Sequence, residues 1–352
     1  MRRLTVLNIA YPLAPVGIDS VGGSEQVLSS LDHALVAAGH RSIVIACRGS
    51  QVAGELHDFP APPTIGRITD ARHSARQNAI RRITADVLRR ERVDVIHMHG
   101  LDFYSYLPPP GPPMLATLHL PTGWYPPEAL APPREDSWVH GVSESQMRDV
   151  PPGPCLLPPI ANGVPVARLG AVHPRKCRFA LTLARVCPEK GLHLALDAAR
   201  AADAPMLLAG GVFPYPTHQD YFHAEILPRL DRRRRYLGPV GFMRKRRLLA
   251  AAACLLVPSL VAETSSLVAM EAAACGTPVI AFRNGALPEL VEDGRTGFLV
   301  DDVDGMAEAI RRVDQIDPAA CREAARRRFS MERMAAAYLD RYHMLTRVAA
   351  VA

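Results

Sequence analysis

Short apolar runs alternate with amphipathic helical patterns through the first 150 residues. The alternation breaks off in a stretch crowded with proline and then starts again. Nothing else in the chain constrains its fold as strongly, because strands separated by helices pair in parallel through right-handed crossovers. In the first half the predicted strands are Leu4–Ala10, Ser42–Cys47, Val93–His97, Leu115–Leu118 and Trp138–Val142. Helices are predicted over Ser24–Ala38 and Ala71–Arg90. The first has Val27, Leu28, Leu31 and Leu35 on its apolar face and Gly39 as its C-terminal cap. Pro151, Pro152, Pro154, Pro158, Pro159, Pro165 and Pro174 suit neither a helix interior nor a central strand, so this stretch reads as the connection between domains. In the second half the predicted strands are Phe179–Leu183, Pro205–Ala209, Cys254–Pro258, Pro278–Phe282 and Phe298–Val300. Helices are predicted at Leu192–Ala201, Arg246–Ala253, Ser266–Ala274, Pro288–Val291, Met306–Val313 and Met331–Val348. The expected class is α/β, with two doubly wound parallel-sheet domains and ligands at the carboxyl ends of the strands, across a cleft between the halves.

Charge separates the halves. Residues 1–170 carry 15 basic and 15 acidic side chains, so the whole net charge of +6 lies beyond Gly170, which suggests that the second half meets an anion. Met1-Arg2-Arg3 before Leu4–Ala10 imitates a signal peptide, but Asn8 and Pro12 interrupt the apolar stretch and a buried first strand is expected instead. The longest apolar run, Leu248–Val257, is too short to span a bilayer. The seven cysteines form no CxxC pair and no zinc spacing, which reads as reduced thiols and a cytoplasmic protein.

Three loops carry residue types suited to an anionic ligand. Gly22-Gly23 sits between the first strand and a helix, where glycine admits close backbone approach and the helix start offers free N–H groups, although no GxGxxG fingerprint is present. Arg185 and Lys190 flank the turn after the first strand of the second half, a spacing able to clamp a diphosphate. Lysine is scarce, only Lys176, Lys190 and Lys245 against 38 arginines, so a lysine at this turn stands out. Glu263 leaves a strand and Glu271 follows on the next helix, whose start at Ser265, Ser266 and Leu267 offers backbone amides to a phosphate. Glu271 lies among apolar residues, where an ionised carboxylate requires a partner that sugar hydroxyls can supply.

Glu263…Glu271 followed by Gly276-Thr277-Pro278 resembles the E-x7-E motif of retaining glycosyltransferases of the GT-B fold, family 4. Further matches are Gly22-Gly23, Val142-Ser143-Glu144-Ser145, Asn162-Gly163-Val164, Arg185 through Lys190-Gly191, and Ala286–Val291 with Gly294–Val300, so the resemblance runs over nearly the whole chain. It implies two Rossmann-like domains: an acceptor-side domain over 1–165 and a nucleotide-sugar domain over 166–335. A C-terminal helix over 336–352 would cross back to the first. It further implies that Glu263 contacts the donor sugar's hydroxyls, that Glu271 binds the ribose, and that Arg185 and Lys190 hold the diphosphate and neutralise the leaving group. Ser265, Ser266 and Leu267 would offer amides to the phosphate. Gly22-Gly23 would approach the donor phosphate and the acceptor, and His119 would border the donor sugar. The chain departs from the family pattern at Glu263-Thr264-Ser265-Ser266-Leu267, where relatives commonly have Glu-Pro-Phe-Gly-Leu, and at Leu120, where an acidic residue often follows the histidine. The implied reaction is retaining transfer of a hexose-type sugar from a nucleotide-diphosphate sugar, with a UDP-sugar expected, by front-face attack and without a metal or other cofactor. The acceptor would be a sugar, a lipid-linked molecule or a small molecule bearing a hydroxyl.

A sugar-nucleotide epimerase on the same fold, or a non-catalytic nucleotide-sugar-binding partner protein, would use the same donor residues. Asp302-Val303-Asp304 imitates a metal-binding DxD but precedes a helix, where aspartate caps the first turn. His97 and His99 share a strand face without a third metal ligand and read as cleft-lining or core residues. Trp124-Tyr125 suits either stacking on an acceptor sugar or loop packing. Arg232–Arg235 and Arg244–Arg247 put eight cations in sixteen residues without any nucleic-acid motif. They read as a solvated surface, with peripheral contact to the anionic inner membrane face as the alternative; the same holds for the arginine-studded Ala71–Arg92.

Overall fold

A computed structural model describes residues 2–20, 22–61, 70–172 and 175–348; Pro174 and residues 349–352, which belong to the predicted linker and tail, lie outside them. The chain divides into two compact units, one of Met1–Asn162 with Met331–Ala352 and one of Gly163–Ser330.

Among the described residues the first unit has one seven-stranded sheet, formed by β1 (Thr5–Ile9), β2 (Arg41–Cys47), β3 (Glu55–Phe59), β4 (Val95–Met98), β5 (Met114–Thr117), β6 (Ser137–His140) and β7 (Leu156–Leu157). Its order is β3-β2-β1-β4-β5-β6-β7 and every pair is parallel. Helices cover both faces of such a sheet, so its central strands are apolar throughout rather than alternating. Val6, Leu7, Ile9, Ile43, Val44, Ile45 and Ile96 are all sealed from solvent. Asn8 in the middle of β1 is tolerated because its Nδ2 donates to Ser42 Oγ on β2 at 3.1 Å. The first helix runs Gly23–Ala37 and buries the predicted stripe of Val27, Leu28, Leu31 and Leu35, with Gly39 following at φ +81°. Helix Met331–Val348 packs on that helix and on β4, burying Tyr338, Tyr342 and Leu345.

The second unit has a six-stranded parallel sheet of β8 (Ala180–Leu183), β9 (Met206–Ala209), β10 (Arg234–Tyr236), β11 (Cys254–Val257), β12 (Val279–Phe282) and β13 (Gly297–Val300), in the order β10-β9-β8-β11-β12-β13. Its main helices are Leu192–Ala201, Phe242–Ala251, Leu267–Ala274, Val303–Arg311 and Pro318–Arg328. Asp302 Oδ1 accepts from the Gly305 amide at 2.7 Å and caps helix Val303–Arg311, the role read for it in the sequence.

The structure corrects several sequence expectations. Three strands went unpredicted, β3, β7 and β10, and each is an edge strand. An edge strand is paired on one side and less fully covered, so it lacks the apolar run that marks a central strand. The Arg232–Arg235 run is not wholly a solvated surface. Arg234 opens β10, is 9% exposed, and donates through Nε to Asp231 Oδ2 at 2.9 Å, while Arg233 pairs with Asp203. Helix Phe242–Ala251 begins four residues before the predicted Arg246, with Gly241 extended at its cap. Helix Pro318–Arg328 was missed because it buries only Cys321, Ala324 and Ala325, too small a stripe to read as amphipathic.

Candidate functional site

In the second unit, the turn after β8 and the loop after β11 meet. Cys187 is extended, Pro188–Lys190 forms a single 3-10 turn, and Gly191 takes φ +59°, where a Cβ would collide with the carbonyl of Pro258 at the end of β11. This close approach brings Lys190 Nζ to 2.6 Å from Glu263 Oε1, with Glu263 only 10% exposed in its side chain. Glu271 is 5% exposed and its predicted need for a partner is met by Lys245, whose Nζ lies 2.5 Å from Oε1. The third lysine, Lys176, donates from Nζ to Thr277 Oγ1 at 2.5 Å, and burial lowers its pKa to about 8. All three lysines of this arginine-rich chain therefore hold the segment Glu263–Thr277.

The loop carrying Glu263 is fixed from its backbone. Ala286 N donates to Glu263 O at 2.7 Å, and Asn284 Nδ2 donates to Ser259 O at 3.3 Å. Between them Gly285 has φ +56°, and a Cβ there would strike the backbone N and O of Glu263. Gly285→Ala is expected to cost about 1–3 kcal/mol through this overlap and the strained φ. It should lower the melting temperature and displace Glu263; an unchanged melting temperature would contradict the close approach. Helix Leu267–Ala274 starts beside Glu263 with Ser266 as its N-cap, and Ser266 makes no side-chain cap bond. The first amides of a helix have no intrahelical acceptor, and Ser265 Oγ is buried there with no hydrogen-bond partner among the described residues. An anion at this helix start would satisfy those donors. Arg185 is exposed, has no ion pair within 4 Å among the described residues, and rests its guanidinium 5.6 Å over the Phe213 ring.

The remaining sequence-predicted residues lie in the first unit. Gly22 is the extended N-cap of helix Gly23–Ala37, and a Cβ on it would collide with the Glu25 carboxylate, which already meets this helix start. His119 follows β5 and is half-buried; its amide donates to Tyr125 Oη at 3.0 Å, and desolvation lowers the ring's pKa to about 4. Tyr125 Oη also accepts from Leu120 N at 3.2 Å and its ring is buried, so Tyr125 serves loop packing, whereas Trp124 is 59% exposed. Gln146 locks the same loop from the other side: its Nε2 donates to the carbonyls of Leu118 at 3.0 Å and Leu120 at 2.7 Å. His97 and His99 are core residues, 0% and 1% exposed, with ring centroids 3.8 Å apart. Sequence reasoning missed Lys245, Gly285 and Gln146, and for Tyr125 the structure decides for loop packing, one of the two readings given. For Lys245 the signal was present, since it shares with Lys190 the distinction of being a rare lysine.

Residues 21–143 match the Glycosyltransferase Family 4 family, and residues 178–315 match Glycosyl transferases group 1, which together take in most of both units. The chain belongs to the family 4 glycosyltransferases of the GT-B fold. It is similar to glycogen synthase of Mycobacterium tuberculosis, 27% identical over 92% of the chain and 89% of that protein. To a D-inositol 3-phosphate glycosyltransferase of a Nocardioides species it is 44% identical, but that match spans only 31% of the chain and 25% of the relative. AviGT4, a glycosyltransferase involved in avilamycin A biosynthesis, superposes with a TM-score of 0.71 at 25% identity, covering 97% of this chain and 98% of that one. The sucrose-phosphate synthase of Thermosynechococcus elongatus gives 0.75 at 22% identity, over 98% of this chain and all of its own, and shares the fold. As a GT-B glycosyltransferase the chain is a transferase. No helix among its described residues is long and apolar enough to cross a membrane.

Proposed function

We propose that this glycosyltransferase moves a hexose from a UDP-sugar to a hydroxyl acceptor, with retention at the anomeric carbon and without a metal at the diphosphate. The observation that carries the proposal is the Lys190–Glu263 ion pair, with Arg185 accessible on the same turn and the start of helix Leu267–Ala274 beside it. Solved GT-B structures of related fold contain UDP, UDP-glucose and ADP, which supports a nucleotide-linked donor.

With no donor bound, Lys190 and Glu263 neutralise each other. A diphosphate, carrying more charge than one carboxylate, draws the Lys190 ammonium toward itself and releases Glu263 to accept from sugar hydroxyls. Arg185, Lys190 and the amides of Ser265, Ser266 and Leu267 then stabilise the negative charge that grows on the departing phosphate. A covalent double displacement needs a carboxylate placed as nucleophile at the anomeric carbon. The family resemblance gives Glu263 to hydroxyl binding instead, which leaves front-face attack. In that step the bond from anomeric carbon to phosphate oxygen breaks, the acceptor oxygen bonds to the same face, and its proton passes to the leaving phosphate oxygen. Glu271 takes the ribose hydroxyls, with Lys245 keeping its buried charge paired. Gly22, Gly23 and His119 are assigned to the same reaction, the glycines at the donor phosphate and acceptor, His119 beside the sugar. Its lowered pKa keeps the ring neutral at pH 7, so His119 offers a neutral hydrogen-bonding group there. The acceptor class includes sugars, small molecules and lipid-linked hydroxyls. For a lipid-linked acceptor in the cytoplasm, the exposed arginines of helix Asp70–Arg90, such as Arg72 and Arg82, would face the anionic inner leaflet.

Calorimetric titration with UDP-, GDP- and ADP-hexoses tests the donor, and proton NMR of the first-formed product tests the stereochemistry. The expected result is tightest binding by a UDP-sugar, in the presence of a chelator, and a product that keeps the donor's anomeric configuration. Preference for another nucleotide, or an inverted product, would refute the corresponding part of the proposal.

A further inference from the structure

The turn that bears Arg185 and Lys190 holds a second set of chemically matched groups. Cys187, Glu189 and His218 each present one metal-ligating atom, and these three atoms lie within 4.8 Å of one another, the one such group of three among the described residues. Cys187 is 1% exposed and His218 8% exposed, and His218 Nδ1 is buried without a hydrogen-bond partner among the described residues. A buried ring nitrogen left unpaired is costly unless something occupies it.

We propose that Cys187, Glu189 and His218 form a binding site for a divalent transition metal of zinc type, built into the Arg185–Lys190 turn. Thiolate, imidazole and carboxylate are the ligand types zinc takes. Ligand atoms on tetrahedral zinc sit roughly 3.5 Å apart, given metal–ligand bonds of about 2.0–2.3 Å, so closing on an ion asks for a shift of about an ångström. Glu189 is exposed and its carboxylate already accepts from the Cys187 thiol, which keeps it beside the sulfur, while its carbonyl is anchored by the Leu260 amide at 2.9 Å. A water would complete the coordination from the solvent side. Binding exchanges a proton for a metal bond: the Cys187 S–H bond breaks, its proton leaves to solvent, and the thiolate sulfur bonds the ion with no change of oxidation state.

The site is distinct from the donor reading, because it rests on ligand chemistry and needs neither diphosphate nor sugar. Its effect would be to brace the turn. Val186 N already donates to Gly211 O at 2.9 Å, and the His218 ring stacks on Phe213 at 6.2 Å and 25°. Phe213 in turn supports the Arg185 guanidinium, so a metal on His218 would stiffen the platform beneath Arg185.

The test is titration of the reduced, metal-free full chain with Co²⁺, followed by competition with Zn²⁺. Expected are one ion per chain, a thiolate-to-cobalt charge-transfer band, release of one proton from the thiol, and loss of the band when Zn²⁺ displaces Co²⁺. Cys187→Ser is expected to abolish the band and weaken Co²⁺ binding at least ~100-fold, and Glu189→Gln to weaken it about 10-fold. Cys177→Ser, which removes an exposed thiol, is expected to leave the band intact. A band that survives Cys187→Ser, or disappears with Cys177→Ser, or fails to form in the folded wild-type chain, would overturn the proposal. Because the readout is metal binding, failure here is separable from failure of the donor assignment, which calorimetry reads independently.

Discussion

Lys190→Ala is expected to lower kcat by about 10²–10³-fold, the scale found when a group that stabilises developing negative charge is removed from a preorganised site. The same change has a structural effect that must be separated from the chemical one. Lys190 neutralises Glu263, whose side chain is only 10% exposed, and removing one member of a largely buried pair strands the other. The variant should therefore also melt at a lower temperature. The double variant Lys190→Ala/Glu263→Gln removes the stranded charge, so its melting temperature should return toward that of wild type while its turnover stays low. That divergence between stability and rate is the signature of a lysine that acts on the leaving group. If turnover returned together with stability, or if Lys190→Ala were fully active, Lys190 would be a structural ion-pair partner and nothing more. Lys190→Arg is expected to be poorly active as well, because a planar guanidinium does not replace a compact ammonium in a turn closed against the Pro258 carbonyl.

Acid is expected to unfold the first unit by way of its buried histidines. His97, His99 and His140 are sealed from solvent and desolvation lowers the pKa of each, to about 3 for His140; His119 is lowered to about 4 by the same cause. The hydrogen bonds of this group agree with neutral rings. His140 Nδ1 faces the Gly141 carbonyl at 2.8 Å, so that nitrogen carries the proton and Nε2 accepts from Thr117 Oγ1 at 2.8 Å. Thr117 Oγ1 can then accept from His97 Nε2 at 2.8 Å, leaving His97 Nδ1 to accept from Tyr342 Oη at 2.6 Å. A second proton on His140 or His97 would convert an acceptor into a donor in this chain. Arg341, which is close enough to lower the pKa of His140, adds a like charge.

The sign follows from where protons bind. The unfolded chain protonates each histidine near pH 6.5 and the folded chain only at lower pH, so below 6.5 the unfolded state binds more protons and stability falls. Each such histidine contributes a loss of roughly 1 kcal/mol per pH unit. That loss runs down to about pH 4 for His119 and about pH 3 for His140. Melting followed by circular dichroism between pH 7 and pH 4.5 (about the usual span for histidine titration) should show a steep decline, shallower in His140→Gln. A flat profile over that span would show that these rings are not held neutral by the fold.

How far the candidate site could be read without coordinates depends on what each residue does. Arg185, Lys190, Glu263 and Glu271 stand out because they are charged residues in short loops or in an apolar helix, a local anomaly visible in one dimension. Gly285 and Gln146 are not anomalous locally. Gly285 matters because the loop after β12 passes against the backbone of Glu263, and Gln146 because it reaches back to Leu118 and Leu120. Asp302 could be assigned as a cap from sequence because its acceptor role is satisfied three residues away.

The amino-acid sequence by itself determined the two rounds of parallel α/β alternation, the central strands, the long helices and the loops that carry the motif residues. Those features rest on periodicity and on local exceptions to it, which act over a few residues. Only the tertiary structure decided the rest. It drew the unpredicted edge strands β3, β7 and β10 into the sheets and set Tyr338 and Tyr342 against Thr117 and His97. It also gave each lysine its partner between Glu263 and Thr277. Those outcomes depend on which groups far apart in the chain come within a few ångströms. Burial then forces every charge and polar atom to find a partner among whichever neighbours the fold supplies.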